Sequence, residues 1–213
     1  MPLKQSTYNE ISLNNGRYFL FIMILMNKFD IYKVDTRYIN YLKQFQERVA
    51  DPKDFGHARP YVGILIFSNN MHYYFAPLTS KTNKPEFYCV RLYDENKKAI
   101  AGVRINNMIP IPKKIAFEIV QPIMYMELLK SNNPRDVKYG NLLKREVASL
   151  KTEVISSTIY KKAVEFRRDY KYKPYIRNIC LDFQLLEQKA LKFNLSKDKK
   201  KEKVIEQEKE LVR

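Results

Sequence analysis

The chain has 213 residues, of which 45% are hydrophobic, so it can form one domain with a sizeable core and short extensions. Its 39 Lys and Arg exceed its 23 Asp and Glu, which gives a formal net charge of +16. The two cysteines, Cys89 and Cys180, stand among apolar neighbours, where buried thiols are expected rather than a disulfide or metal ligands. Nothing in this composition indicates an oxidising compartment, and the sequence predicts a cytoplasmic protein.

A positive surplus of this size indicates a polyanionic partner, either nucleic acid or an anionic membrane, unless the chain is simply a soluble, lysine-rich protein. The 16 Tyr and 12 Phe favour RNA, because unpaired bases stack on aromatic rings.

The N-terminal segment contains a dense apolar run, Tyr18–Met26, after a polar stretch. The run is far shorter than the roughly 20 residues of a membrane span, and no small-residue cleavage site follows it. It is either an additional strand or the product of an upstream start, with the true chain opening at Met26, which we favour. The predicted units are an extension at 1–25, a domain at 26–195 and a charged tail at 196–213.

The first regular elements follow at once. A strand is predicted at Lys28–Val34, and an amphipathic helix at Thr36–Val49 with Asp35 as its N-cap. Proline and glycine predict a loop at Asp51–Pro60, and the next strand is Tyr61–Phe67.

The centre of the chain is rich in strands. After a turn at Asn69-Asn70, the predicted strands are His72–Ala76, Phe87–Tyr93, Gly102–Asn107 and, as a further candidate, Lys114–Ile119. The short connections between them favour antiparallel pairing.

The second half has helical periodicity. A short helix is predicted at Pro122–Lys130, and Pro134 occupies a favourable first-turn position for the next. The pattern at Ile155–Tyr170 is either a second helix or a continuation, Lys173-Pro174 interrupts it, and a last apolar face spans 176–191. The predicted architecture is α+β, an antiparallel and curved sheet with helices packed on it.

Few residues offer recognisable chemistry. The two histidines, His57 and His72, could form an acid–base pair for RNA cleavage, but His72 falls on a strand where it can equally face solvent. No cluster has metal-ligand spacing, and no phosphate-binding glycine loop or nucleophile elbow is present in the sequence. The sequence therefore predicts neither a metal nor a cofactor.

The most specific stretch is Ala76–Pro85, where a predicted strand is followed by two hydroxyls, Thr79 and Ser80, and two lysines, Lys81 and Lys84. Hydroxyls and backbone amides at a strand end can hold a phosphate, and a lysine can neutralise it. An ordinary polar turn is the alternative.

Five segments in order resemble the ToxN/AbiQ endoribonuclease toxins of type III toxin–antitoxin systems. The resemblance covers about residues 26–193. The segments that carry it are Met26–Leu42, Arg59–Leu65 (Arg-Pro-Tyr-Val-Gly-Ile-Leu), Tyr74–Ser80 (Tyr-Phe-Ala-Pro-Leu-Thr-Ser), Asn107–Ile111 (Asn-Met-Ile-Pro-Ile) and Cys180–Lys189.

The resemblance implies a fold, a reaction and a partner. The fold is a twisted antiparallel sheet surrounded by helices, similar to Kid/MazF-type toxins. The reaction is metal-independent RNA cleavage by the RNA's own 2′-hydroxyl, which leaves a 2′,3′-cyclic phosphate. The partners are cellular or phage RNA substrates and a repetitive, pseudoknotted antitoxin RNA. The toxin processes this RNA and is inhibited by it in a closed protein–RNA assembly, as part of abortive infection against phage, with no membrane involved.

The resemblance also implies site residues. The family's hydroxyl pair corresponds to Thr79 and Ser80, and its basic residue before the aromatic-x-Gly strand corresponds to Arg59. The family continues with Ser-Pro-Lys, whereas here Ser80 is followed directly by a lysine, so either Lys81 or Lys84 takes the catalytic place.

The loop before Arg59 departs further from the family. An aromatic that is a tyrosine in some members corresponds to Phe55, which lacks a hydroxyl, and His57 is a candidate substitute. Further basic residues are candidates for holding the antitoxin RNA, or else belong to solvated surfaces: Lys113, Lys114, Lys144, Arg145, Lys161, Lys162, Arg167 and Arg168.

Two other functions remain open at this point. The first is a noncatalytic RNA-binding module of the same fold, which the altered lysine spacing and Phe55 would allow. The second is a basic membrane-surface protein that uses the apolar run at 18–26.

Overall fold

The computed structural model describes residues 30–54, 56–64, 69–82 and 87–194. The predicted extension at 1–25 with its apolar run, and the predicted tail at 196–213, lie outside these ranges. The described part is a mixture of helices and one large antiparallel sheet, which confirms the predicted α+β class.

The strands are short apart from one in the middle of the sheet. They are β1 (Tyr32–Val34), β2 (Lys53–Asp54), β3 (His57–Ala58), β4 (Tyr61–Gly63), β5 (His72–Thr79), β6 (Cys89–Tyr93), β7 (Ala99–Arg104), β8 (Ile109–Pro112) and β9 (Val120–Pro122). The sheet has the order β6-β7-β5-β4-β1-β9, with β8 also paired to β5, and β2 and β3 form a separate pair.

The helices lie mainly in the second half. They are α1 (Thr36–Lys43), α2 (Ala116–Ile119), α3 (Tyr125–Leu128), α4 (Pro134–Leu150), α5 (Glu153–Tyr172), α6 (Pro174–Ile179) and α7 (Phe183–Ala190). Two 3-10 turns, Ile105–Asn107 and Lys113–Ile115, flank β8.

Strand β5 lies in the middle of the sheet, and all eight of its residues are buried. One edge pairs with β4, and the other pairs with β7 near Thr79 and with β8 near His72. The 3-10 turn Ile105–Asn107 carries the chain from β7 to β8 along this edge. Pro110 and Pro112 are tolerated in β8 because, among the described strands, it pairs with β5 alone.

Local capping explains where the long helices begin. The Asn133 side chain accepts a hydrogen bond from the backbone N–H of Arg135 at 2.9 Å, with Pro134 in the first turn of α4. Thr152 caps α5, which is therefore a separate helix and not a continuation of α4. The predicted interruption at Lys173-Pro174 is confirmed, since α5 ends at Tyr172.

An aromatic cluster joins the C-terminal helices to the sheet. The Phe166 ring of α5 lies 4.8 Å from Tyr88 and 5.7 Å from Phe183 of α7, and Phe183 in turn packs against Tyr74 of β5. Each contact removes large apolar rings from water, and such ring pairs contribute about 0.5–1.5 kcal/mol beyond their buried area. No helix in the described ranges is long and apolar enough to cross a bilayer.

Several predicted elements were wrong in extent or kind. The predicted helix Thr36–Val49 ends at Lys43, although Val49 is buried after the turn that follows. The candidate strand Lys114–Ile119 is instead a 3-10 turn followed by α2, because Ala116 and Ile119 are buried at a helical spacing. The predicted loop Asp51–Pro60 contains the β2–β3 pair.

Candidate functional site

A transverse row of residues crosses the sheet at the end of β5. Thr79 is paired with Gly102 of β7, and Gly102 with Arg91 of β6. On the other side, the Leu78 N–H donates to the Pro60 carbonyl at 2.9 Å, and the β4–β5 register, continued past Tyr61, places Arg59 opposite Thr79. Directly opposed residues of an antiparallel sheet point to the same face. Arg59, Thr79, Gly102 and Arg91 therefore share one face.

The segment Thr79–Lys81 begins inside the sheet and ends outside it. The prediction that the strand stops at Ala76 was wrong, because ladder hydrogen bonding carries β5 through Thr79. Thr79 is buried, whereas Ser80 and Lys81 are exposed. The Lys81 N–H donates to Thr79 Oγ1 at 3.2 Å, which fixes the turn on which Ser80 and Lys81 leave the sheet. The segment thus presents an exposed hydroxyl and an exposed ammonium beside a buried threonine.

Arg59 fastens the preceding loop to the same strand end. Its Nε donates to the Asp51 carbonyl at 2.7 Å and its Nη1 to the Leu78 carbonyl at 2.8 Å. A weaker bond at 3.4 Å joins Nη2 to the Lys53 carbonyl. Each of the three guanidinium nitrogens thereby directs an N–H group at a backbone oxygen. The positive charge is held next to Thr79 by a rigid planar fork rather than by a mobile side chain.

His57 lies near this loop but is held by α4. Its ring stacks on Tyr139 at 4.2 Å with an interplanar angle of 6°, and its Nε2 lies 3.9 Å from Asp136 Oδ1. The Tyr139 hydroxyl donates to the Ala58 carbonyl at 3.0 Å. These contacts hold β3, which directly precedes Arg59, against α4.

The second histidine does not join the first. His72 is buried at the opposite end of β5, roughly 23 Å from Thr79 at about 3.3 Å per residue. Burial lowers its pKa, only partly offset by the nearby Glu187 carboxylate. Of the two alternatives for His72, a solvent-facing position is wrong because the side chain is buried, and its distance from Thr79 excludes a catalytic pair with His57.

The other predicted basic residues lie on separate surfaces. Lys113 donates its N–H to the Met71 carbonyl and holds its Nζ 5.0 Å above the Tyr73 ring, which places it and Lys114 at the His72 end of β5. Arg145 of α4 lies 3.7 Å from Asp94, and Lys144 beside it is exposed. These four cations therefore do not gather around Thr79.

Two predicted site residues, Phe55 and Lys84, lie outside the described residues. Among residues that sequence reasoning missed, Arg91 is the most relevant, because strand pairing alone brings it into line with Thr79. Its position in the alternating sequence Cys-Val-Arg-Leu-Tyr marks an outward-facing strand residue, but no local pattern connects it with Ser80. Cys89 was expected to be buried, whereas it is only half-buried; Cys180 is buried as predicted.

The arrangement can bind and orient a phosphate. Arg59 supplies fixed positive charge, Ser80 an exposed hydroxyl donor, and Lys81 an exposed ammonium. Such groups stabilise negative charge on phosphate oxygens and can hold the phosphorus in line with an attacking and a leaving oxygen. Within the described ranges, no group of three His, Cys, Asp or Glu residues is placed to hold a metal ion.

Comparisons with known proteins agree on one family. A family model described as toxin ToxN, type III toxin–antitoxin system, matches residues 30–191. Endoribonuclease ToxN of Bacillus thuringiensis subsp. kurstaki is 34% identical over 178 residues, which are 80% of this chain and 86% of the relative. Endoribonuclease AbiQ of Lactococcus lactis subsp. lactis is 28% identical over 184 residues, 81% of this chain and 93% of the relative.

A solved structure shares the fold with a TM-score of 0.64 and 30% sequence identity, over 76% of this chain and 95% of its own. It is described as showing selective toxin inhibition by a non-coding RNA pseudoknot in bacterial type III toxin–antitoxin systems.

Proposed function

Because this chain belongs to the ToxN family of type III toxin–antitoxin toxins, we propose that it is an endoribonuclease whose scissile phosphate binds at the end of β5. The observation that carries the proposal is the convergence of Arg59, Thr79, Ser80 and Lys81 on one strand end. Both sequence relatives described above are named endoribonucleases, which supports the reaction class.

In the proposed mechanism the substrate RNA supplies its own nucleophile. Its 2′-hydroxyl loses its proton to solvent water as the oxygen attacks the adjacent phosphorus, the bond to the 5′-oxygen breaks, and a 2′,3′-cyclic phosphate remains. Ser80 donates a hydrogen bond to a non-bridging phosphate oxygen, and Arg59 offsets the charge that grows there. Thr79 holds the turn through its bond with the Lys81 N–H. The reaction needs no metal ion.

A cationic proton donor completes the mechanism. Either Lys81, which follows Ser80 directly, or Lys84 would protonate the leaving 5′-oxygen, and the exposure of Lys81 beside Ser80 supports the first. General acid catalysis of this kind typically contributes on the order of 10²–10⁴ in rate. His57 is held within the loop by Tyr139 and is proposed to contact RNA rather than to transfer a proton.

The proposed inhibitor is a repetitive, pseudoknotted antitoxin RNA, bound in a closed protein–RNA assembly. The family's system type and the pseudoknot inhibition described for the solved relative support this partner. Basic residues outside the site would contact it, among them Lys113, Lys114, Lys144 and Arg145. The exposed side of α5 adds Arg167 and Arg168. A role in abortive infection against phage stays a prediction.

The test replaces one exposed hydroxyl. Ser80→Ala should lower RNA cleavage by roughly a hundred- to a thousandfold, because it removes one donor to the phosphate. Its stability should change little, because Ser80 is exposed. The matched control is Ser156→Ala, on α5, where the hydroxyl donates to the Glu153 carbonyl within its own helix turn.

The reactions are run in EDTA with purified protein, and the product ends are analysed. Cleavage with cyclic-phosphate ends by wild type and Ser156→Ala, but not by Ser80→Ala, supports the proposal. Binding of RNA without cutting by wild-type protein would instead favour the noncatalytic RNA-binding module. An unchanged rate in Ser80→Ala would place the phosphate elsewhere.

A further inference from the structure

A cleft of about 380 Å³ opens between β6 and the first turns of α5. The outward residues of β6, Cys89, Arg91 and Tyr93, line one side, because alternate residues of a strand share a face. Thr158 and Lys162 of α5 line the other side at a spacing of one helical turn. This volume falls in the range of small-ligand sites and suits one nucleotide.

The cleft is continuous with the site at the end of β5. Lys81 lines both, and Gly102 on the floor is the ladder partner of Thr79. A Cβ added at Gly102 would lie 2.7 Å from Cys89 Sγ and 3.5 Å from Thr79 Cγ2, so a side chain there would crowd both neighbours. The glycine therefore keeps the passage from Thr79 to Arg91 open. Two strand spacings, about 10 Å, separate the backbones of these two residues.

The electrostatic character of the cleft suits a polyanion. Among the residues that the structure describes, its lining includes Lys81, Arg91 and Lys162 and no carboxylate. Lys162 pairs with Glu165 at 2.8 Å on the solvent side, but Arg91 has no ion pair or side-chain hydrogen bond among the residues that the structure describes. Arg91 is half-buried, so its guanidinium is partly shielded from water and is accessible to an anion that enters the cleft. Tyr93, 42% exposed, offers an aromatic face beside it.

We propose that this cleft binds a nucleotide adjacent to the scissile phosphate, with its base against Tyr93 and its sugar–phosphate backbone against Arg91 and Lys162. The inference rests on the proposed ribonuclease function and adds a determinant of substrate binding beyond the hydroxyl site. A strand of RNA with one phosphate at Ser80 would extend its next nucleotide over Gly102 into the cleft. Aromatic stacking accepts any base, while the shape of the cleft and its polar wall, which includes Thr158, favour some bases over others.

The first experiment couples a change in the RNA to a change in the cleft. Abasic sites are introduced singly at the two nucleotides on either side of the cleaved bond, and kcat/KM is measured. In wild-type protein, one of these abasic sites should lower kcat/KM by roughly five- to hundredfold, the effect of losing one stacked base. In the Tyr93→Ala protein, the same abasic site should lower kcat/KM less than threefold, because the aromatic face that the base would stack on is absent.

Matched controls come from the neighbouring helix face. Tyr160→Ala removes a tyrosine that is 59% exposed on α5 and does not line the cleft, and it should keep the wild-type response to the abasic site. Arg91→Gln should raise KM at least tenfold, whereas Lys161→Gln, next to Lys162 but outside the cleft, should change it less than Arg91→Gln does. Circular dichroism melts verify that each variant is folded. Equal abasic effects in wild type and Tyr93→Ala would overturn the inference.

The second experiment does not depend on catalysis. Alkylation of Cys89 by iodoacetamide is followed by mass spectrometry, with the buried Cys180, 1% exposed, as internal reference. The probe is an uncleavable RNA oligonucleotide with a 2′-deoxyribose at the cleaved position. Bound probe should slow Cys89 alkylation at least tenfold and leave Cys180 unchanged.

The outcomes separate the two proposals. If wild-type protein cleaves RNA but the bound probe leaves the alkylation rate of Cys89 unchanged, the cleft inference is wrong and the ribonuclease function stands. If the protein neither binds nor cleaves RNA, both proposals fail.

Discussion

The contribution of Arg59 can be predicted in a graded way, because its hydrogen bonds leave from different nitrogens. Nε and Nη1 make two short bonds, to the carbonyls of Asp51 and Leu78, and Nη2 makes a longer one to the carbonyl of Lys53. A lysine ammonium can keep one of the short bonds but cannot span both oxygens. Each such bond has a net value of about 0.5–1.5 kcal/mol. Arg59→Lys should therefore lower the free energy of unfolding by about 1 kcal/mol, and Arg59→Ala by about 1–3 kcal/mol.

The assay is urea unfolding followed by circular dichroism, with all variants made in a Ser80→Ala background so that a toxic protein can be produced. The control is Arg48→Lys, because among the described residues the Arg48 guanidinium makes one hydrogen bond, to the Asn178 carbonyl at 2.8 Å, which an ammonium can retain. That variant should stay within about 0.5 kcal/mol of its parent. If Arg59→Ala were as stable as its parent, the loop would not be fastened by this guanidinium and its charge would have no fixed place beside Thr79.

Three further outcomes are expected. Lys81→Ala should lower kcat by roughly 10²–10⁴ with folding unchanged, if this lysine is the general acid; full activity would transfer that role to Lys84. The pKa of His72 is lowered by burial, so the free energy of unfolding should fall as the pH drops below the unfolded pKa of about 6.5. In urea titrations at several pH values, the free energy of unfolding of His72→Leu should fall less steeply over this range. Parallel curves for the two proteins would contradict this. The pKa of Asp169 is lowered to about 2, first by the hydrogen bond from Tyr88. The difference in free energy of unfolding between wild type and Asp169→Asn should therefore be largest above about pH 4 and become smaller below it. A difference that does not change with pH would show that the charged carboxylate adds no such stability.

Local signals in the sequence predicted much of the fold. Asn133 and Pro134 mark the start of α4, and Lys173-Pro174 marks the end of α5, because caps and prolines act within a few residues. The end of β5 was predicted three residues too early, at Ala76, whereas pairing with β4 and β7 carries the strand through Thr79. Neighbouring strands, which are distant in sequence, decide that point.

The candidate site was predictable only in part. The resemblance of the segment Tyr74–Ser80 to a known family pointed to Thr79 and Ser80, and the segment beginning at Arg59 to the guanidinium. No local sequence pattern indicated Arg91, because it is brought into line with Thr79 by two successive strand pairings, of Thr79 with Gly102 and of Gly102 with Arg91. The role of Tyr139 in holding His57 likewise depends on the packing of α4 against a loop about 80 residues earlier in the chain.

The most direct test is a crystal structure of the protein with an RNA oligonucleotide that carries a 2′-deoxyribose at the cleaved position. It should show the phosphate at that position within hydrogen-bond distance, about 3 Å, of Ser80 Oγ and close to the Arg59 guanidinium. If that phosphate were bound elsewhere, with Ser80 and Lys81 away from the RNA, the end of β5 would not be the site of cleavage.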